Sequence, residues 1–169
     1  MGQLEYFTAD LYRRSQSRVF PLKEWENASK LYLKHLSRIL RLAPLGVKQL
    51  ANAYLHDWRF ADILIERPSR VVLKLRSSGS FRKFGKLLPR ERACSFEFKG
   101  VTELNFRADQ FIDPHGHEWG YGEIHGKRND YELRVLVLPV LVAKGPSMFS
   151  IRFTSVRVRK TTQLKRGIR

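Results

Sequence analysis

Three of the five histidines in the chain lie in one short stretch, IDPHGHEWGYGEIHG, residues 112 to 126. The stretch also holds two glutamates, and these side-chain types can bind metal ions or move protons. The letters DPHG are typical of a tight turn, so we expect a strand to begin near His117. His115 and His117 are therefore a candidate metal-binding pair, with Glu123 as a possible third ligand.

The spacing of the other residues argues against a larger metal site. A period of two places His117, Trp119, Tyr121, Glu123 and His125 on one face of the predicted strand. His117 and His125 are about 26 Å apart along an extended strand at roughly 3.3 Å per residue, so they do not share an ion. The structural interpretation is that aromatic side chains pack in the core and the glycines mark a bulge or a close approach of another segment. We favour it, and we expect no cofactor.

A second candidate for chemistry is LHDWRF, residues 55 to 60, where a predicted helix ends and a strand begins. His56 and Asp57 are an alternative acid–base pair, and with Glu123 they are the candidate catalytic residues. A structural role competes with this hypothesis. Asp57 would accept backbone N–H bonds at the junction, and His56 would lie at the negative end of the helix. We favour the structural role.

Positive charge is the strongest global feature. The chain carries 32 Lys and Arg against 16 Asp and Glu, a net charge of +16. Eight basic residues and no acid lie between Glu66 and Glu91, and nine basic residues and no acid follow Glu132. Such windows attract polyanions by steering and by counterion release. A basic surface that serves only solubility is the alternative.

The first acid-free window suggests how binding would work. In RSSGSFRKFGK, basic residues surround Phe81 and Phe84, so the cations would contact phosphates while the aromatic rings stack on bases. We expect residues 77 to 93 to form a long connection. The candidate binding residues from both windows are Arg76, Arg82, Lys83, Lys86, Arg157, Arg159 and Lys160.

These residues are positioned by helices in the first third of the chain and by strands in the rest. Thr8 is a candidate N-cap, Pro21 is expected to open a long helix with an apolar stripe, and a third helix is expected to run to about Leu55. The later segments alternate apolar and polar residues. The phase of this alternation changes between Phe153 and Val156, which predicts a bulge near Thr154 and Ser155.

Helices followed by strands joined through short connections predict an α+β fold. We expect N-terminal helices to pack on a mostly antiparallel C-terminal β-sheet. One domain of residues 1–169 is expected, with a helical part to residue 56, a β-rich part over 57–160 and a basic tail from 161. The single Cys94 excludes an internal disulfide. With neither a transmembrane segment nor a secretory leader in the sequence, we expect a cytoplasmic protein.

Four short motifs, YFTADLY, LHDWRF, FKGVTEL and EWGYGEI, follow one another along residues 6 to 124. In this order the chain resembles a bacterial family of small uncharacterised α+β proteins. Similar LHD junctions occur in proposed immunity proteins of bacterial toxin systems. The resemblance implies a fold with N-terminal helices and a β-rich C-terminal part, and it supplies no catalytic residues.

Two functions remain open from the sequence. The first is a non-enzymatic binding protein that uses a basic surface to bind a polyanion, either an acidic protein in an immunity-like manner or a nucleic acid. The second is a metal-dependent hydrolase or nuclease that uses His115, His117 and Glu123. The sequence predicts no oligomeric state.

Overall fold

The structure is a computed structural model that describes residues 4–16, 20–67, 69–83, 86–107, 116–139 and 145–161. Of residues 78–83, 86–91, 160 and 161 it describes the backbone alone.

Three helices lie in the first third of the chain: α1 (Ala9–Ser15), α2 (Leu22–Leu42) and α3 (Leu45–Ala51). Thr8 caps α1 as predicted, because its side-chain oxygen accepts the N–H of Leu11 at 3.1 Å. Pro21 lies one residue before α2 rather than inside its first turn. Helix α3 ends at Ala51, so the helix predicted to reach Leu55 is shorter than expected. No helix in the described ranges is long and apolar enough to cross a bilayer.

The rest of the described chain forms one antiparallel sheet, which confirms the α+β class. Its strands pair in the order β4-β7-β6-β5-β1-β2-β3-β8. They are β1 (Trp58–Arg67), β2 (Arg70–Lys83), β3 (Lys86–Lys99), β4 (Glu103–Asn105), β5 (His117–Lys127), β6 (Asp130–Pro139), β7 (Ser147–Phe153) and β8 (Ser155–Thr161).

The sheet curls until its two ends meet. Only Thr154 separates β7 from β8, although β8 is the last strand in the order and β7 is the second strand from the other end. The N–H of Thr154 donates to the carbonyl of Lys99 at 3.0 Å, next to Gly100. Gly100 has a φ of +60°, and a Cβ there would lie 2.3 Å from the Thr154 Oγ1, so the junction requires glycine. The phase change between Phe153 and Val156 therefore marks a break at Thr154, where the chain leaves β6 as its partner and pairs with β3, and not the bulge within one strand pair that the sequence predicts.

Aromatic and branched side chains fill the interior of the curled sheet. Phe98 of β3 and Phe153 of β7 meet edge to face, with ring centroids 4.9 Å apart. Val47 and Leu50 of α3 join this main core from the helical side. A smaller apolar cluster around Leu136 packs against the N-terminal segment on the other face of the sheet. One face of β5 and β6 therefore contributes to the main core with α3, and the other face packs against the N-terminal segment.

The prediction of a long connection over residues 77 to 93 is wrong. Strands β2 and β3 pair continuously from Arg70↔Lys99 to Lys83↔Lys86. The sequence Ser77–Ser80 lacks alternating apolar residues, and for that reason it does not resemble a strand. Backbone hydrogen bonds of an antiparallel ladder require no side-chain pattern, so the hairpin extends beyond its apolar part.

Candidate functional site

Three described cations form ion pairs with Glu97 on β3. Its carboxylate is only 5% exposed and contacts Arg70 at 3.1 Å, Arg159 at 3.3 Å and Lys99 at 3.6 Å. Arg157 lies opposite Glu97 in the β3–β8 register. Partial burial raises the pKa of Glu97, but the four surrounding cations outweigh burial, and the pKa lies below its ordinary value. One acid thus contacts three cations, and a fourth lies opposite it, on three neighbouring strands.

These cations belong to a larger surface, which we call the outer basic face. Its residues are the charged side chains that strands β1, β2, β3 and β8 turn away from the main core. On these strands the described cations that face away from the main core outnumber the acids by eight to three. The cations are Arg59, Arg67, Arg70, Lys74, Arg76, Lys99, Arg157 and Arg159, and the acids are Asp62, Glu66 and Glu97.

Arg76 occupies an unusual position on the outer basic face. It lies directly opposite Arg59 in the β1–β2 register, and like charges in this arrangement are unfavourable. Arg59 contacts Glu118 at 3.1 Å, whereas Arg76 makes no ion pair with any residue that the structure describes. A bound anion near Arg76 would relieve the repulsion.

Beyond the outer basic face, β2 and β3 continue as a two-stranded β-ribbon, residues 77–83 and 86–92. Strand β1 pairs with β2 only as far as Arg76, and β8 pairs with β3 only from Ala93. Within the described chain, the seven residues on each side of the ribbon pair only with each other, over about 23 Å at roughly 3.3 Å per residue. The ribbon sequence carries five basic residues and one acid.

The predicted binding residues fall on these two features. Arg76, Arg157 and Arg159 lie on the outer basic face. The backbone of Arg82, Lys83 and Lys86 lies in the β-ribbon, and that of Lys160 lies in β8 opposite Cys94. The side chains of these last four residues are outside the described part. Sequence reasoning missed Glu97 and the cations Arg59, Arg70, Lys74 and Lys99, because their proximity depends on how distant strands pair.

The histidine-rich stretch does not form the face that the sequence predicts. Strand β5 begins at His117 as expected, but a bulge at Gly120 shifts its register against β6. Trp119 and Ile124 consequently both point into the main core, whereas Glu123 and His125 point to the opposite face. His117, two residues before Trp119, lies on the core side and is separated from Glu123. The prediction of one shared face is therefore wrong.

The metal-binding alternative finds no group of ligands in the described residues. His115 lies outside them, and the described His, Cys, Asp and Glu side chains form no cluster of three or more that would hold a metal ion. Cys94 is buried in the core, as expected.

Glu123 anchors the N-terminal segment to the sheet. Its fully buried carboxylate accepts the backbone N–H groups of Glu5 at 2.9 Å and of Tyr6 and Phe7 at 2.8 Å each. His125 Nε2 lies 3.0 Å from the same carboxylate. Burial raises the pKa of Glu123, but these hydrogen bonds outweigh burial, and the pKa is lowered. A carboxylate with all these partners is a structural anchor and is not available as a general acid or base.

His56 and Asp57 do interact, with Nδ1 and Oδ1 2.8 Å apart. Asp57 adopts a φ of +64°, and its backbone N–H donates to the carbonyl of Trp119 at 3.0 Å. Because α3 ends at Ala51, neither residue lies at the end of the helix. The predicted capping role is therefore wrong, and the contact resembles an acid–base pair that fixes an imidazole ring.

The His56 ring lies at a cleft of about 360 Å³ between α2, the segment after α3, and β5. Aromatic residues from all three line it, including Tyr32, Tyr54 and Tyr121. The Tyr32 hydroxyl accepts the N–H of Ile124 at 3.0 Å, and burial raises the pKa of Tyr32 to about 12. Sequence reasoning did not identify this cleft, since its walls come from residues up to about a hundred positions apart.

Comparison with known proteins returns no match: no protein-family model, no curated protein and no solved structure is similar to this chain. The resemblance to small bacterial α+β proteins stays a prediction. The outer basic face, the β-ribbon and the cleft are therefore the features that bear on function.

Proposed function

We propose that this protein binds nucleic acid, without catalysis, through the outer basic face and the β-ribbon. The observation that carries the proposal is the arrangement of Arg70, Lys99 and Arg159 around the nearly buried Glu97, beside a ribbon that pairs only with itself in the described chain. Cations held at fixed positions contact successive phosphates with less loss of side-chain freedom than mobile ones.

Exposure of the cations supports this role. Arg159 is 61% exposed and Lys99 52% exposed although both contact Glu97, so their remaining N–H groups are accessible to a phosphate. The β-ribbon adds basic residues next to this surface. A two-stranded ribbon is also one of the few elements that a nucleic-acid groove admits.

An acidic protein is the competing partner for the same charges. A nucleic acid fits better because the cations lie in rows across four strands and continue into an extended ribbon, which suits a linear array of phosphates. A protein inhibitor would instead need an apolar centre within a polar rim. Among the described outer positions of these strands, the large apolar residues are the directly opposed pair Leu64 and Val72, which is small for such a centre.

The test is fluorescence anisotropy of labelled DNA and RNA oligonucleotides, single-stranded and duplex, over a range of salt concentrations. In the double variant Arg76→Ala, Arg157→Ala we expect weaker binding and a plot of log affinity against log salt that is flatter by about two counterions. The control double variant, Lys30→Ala, Lys34→Ala, removes the same charge from exposed positions on α2 and should leave the slope unchanged. Equal losses in both variants, or no binding by the wild-type chain, would contradict the proposal.

A further inference from the structure

Part of the β5 edge at the cleft has no strand partner among the residues that the structure describes. Strand β1 pairs with β5 only at Trp58↔Trp119 and Arg59↔Glu118. The next bond along this edge joins the Asp57 N–H to the Trp119 carbonyl. Further on, the Ile124 N–H donates to the Tyr32 hydroxyl. These two hydrogen bonds flank a short unpaired stretch of the β5 edge, which we call the gap.

Gly122 occupies the middle of this gap. Along an antiparallel strand, the N–H and C=O groups of every second residue point to the same side. The N–H of Ile124 points away from β6, so the N–H and C=O of Gly122 also point away from β6. Both backbone groups of Gly122 then face the cleft, and neither has a partner in the described part of the chain. The position has no side chain that would cover them. The edge thus presents one donor next to one acceptor.

The gap is too short for a peptide strand. Adding a strand to a sheet edge uses donor and acceptor groups at every second residue over several residues. Here the Trp119 carbonyl and the Ile124 N–H are already occupied, which leaves the groups of Gly122 between them. A small planar molecule with a neighbouring donor and acceptor fits this arrangement, and an extended chain does not.

The walls of the cleft suit a flat ring. Tyr121 meets His56 edge to face at 4.9 Å, and Tyr54 at the rim is 83% exposed, so its ring is accessible for stacking. The Nδ1 of His56 is held by Asp57, which directs the other ring nitrogen to a further partner. A volume of about 360 Å³ accommodates a single ring system of one or two rings.

We propose that this cleft binds one nucleobase, stacked on the aromatic wall and hydrogen-bonded through its base-pairing edge to the backbone of Gly122. Every nucleobase carries a donor and an acceptor side by side on that edge. The source of the base rests on the proposed function: β1 begins at Trp58, beside the Arg59↔Arg76 position where the β-ribbon leaves the sheet. An unstacked base of a bound nucleic acid would therefore reach the cleft from the ribbon.

The test uses free nucleosides, which lack phosphate and so do not depend on the basic surface. Adenosine, guanosine, cytidine and uridine are titrated to millimolar concentrations while ¹H–¹⁵N spectra follow the Gly122 amide. A saturable shift of that amide is expected for at least one nucleoside, because its N–H gains an acceptor. An unmoved Gly122 amide with all four nucleosides would overturn the proposal.

Tyr54→Ala provides the matched variant. The side chain is so exposed that its loss should leave the fold intact, and loss of stacking should weaken nucleoside binding by at least about fivefold. Leu42→Ala, at a residue 72% exposed and outside the cleft lining, should bind like wild type, and equal weakening by both would count against the cleft. The Arg76→Ala, Arg157→Ala variant should keep nucleoside binding, so failure of the surface proposal and failure of the cleft proposal are distinguished.

Discussion

Glu97 and Glu123 are two nearly buried acids on strands of the same sheet, and they have opposite consequences. Glu123 is surrounded by backbone N–H groups of residues 5 to 7 and by His125. Glu97 is surrounded by the side chains of four cations. Backbone N–H groups satisfy the Glu123 carboxylate, and no hydrogen-bonding capacity remains there for a ligand. At Glu97 one negative charge does not balance its cations, so an excess of positive charge remains at the surface.

A buried acid therefore does not by itself mark a catalytic site. What distinguishes the two residues is whether their partners have hydrogen-bonding capacity left over. A backbone N–H has one hydrogen, which Glu123 uses completely. An arginine has five N–H groups, so Arg70 and Arg159 bind Glu97 and retain donors for phosphate. The first region therefore stabilises the fold, and the second is the surface that we propose for binding.

The largest expected effect is on stability at Glu123. In Glu123→Gln, an NH₂ group replaces one oxygen that faces backbone donors, so a buried hydrogen bond is lost and two donors face each other. We expect unfolding in urea to show a loss of about 3 kcal/mol. Nucleic-acid affinity of the folded variant should stay that of wild type.

The control for this variant is Glu103→Gln, which removes the same charge from an acid that is 54% exposed on β4. Its unfolding free energy should change by no more than about 0.5 kcal/mol. Equal stability of the two variants would show that the N-terminal segment does not depend on Glu123.

A smaller effect is expected at Glu97, and on binding instead of stability. Glu97→Gln removes the negative charge from the outer basic face and loosens the cations around it. We expect the gain in positive charge to outweigh the lost ordering, so oligonucleotide affinity at low salt should rise a few fold and the salt dependence should steepen by less than about one counterion. Glu26→Gln changes the net charge equally at an exposed position on α2, and it should not alter either quantity. If the two variants bind alike, the position of the charge is irrelevant and the outer basic face has no special role.

The sequence predicts the fold class, the cap at Thr8 and an irregularity near Thr154, because each depends on the pattern of neighbouring residues, although the irregularity is a strand break and not a bulge. It does not predict the anchor at Glu123, whose partners lie 116 to 118 positions away. The interpretation of the β5 glycines as the mark of a bulge is confirmed at Gly120, but the single-face prediction did not include the reversal of faces that this bulge causes after Trp119. The β-ribbon was missed because residues 77–80 form a ladder without an apolar pattern.

The candidate site is predicted only in part for the same reason. Arg76, Arg157 and Arg159 stand out as basic residues in acid-free windows. That Arg159 and Arg70 meet at one carboxylate depends on the register of β8 and β2 on either side of β3. The register is fixed by the pairing of distant strands, which composition and spacing do not reveal.

Nucleic-acid binding through the β-ribbon is tested most directly by measuring oligonucleotide binding to a chain whose β-ribbon is shortened. Joining Ser77 to Arg92 through an Asn-Gly turn keeps the strands that pair with β1 and β8 and removes a net charge of three from the ribbon. We predict an unchanged fold by circular dichroism, an affinity lower by about tenfold or more, and a salt dependence flatter by about three counterions. Unchanged affinity and salt dependence in the folded, shortened chain would contradict nucleic-acid binding through the β-ribbon.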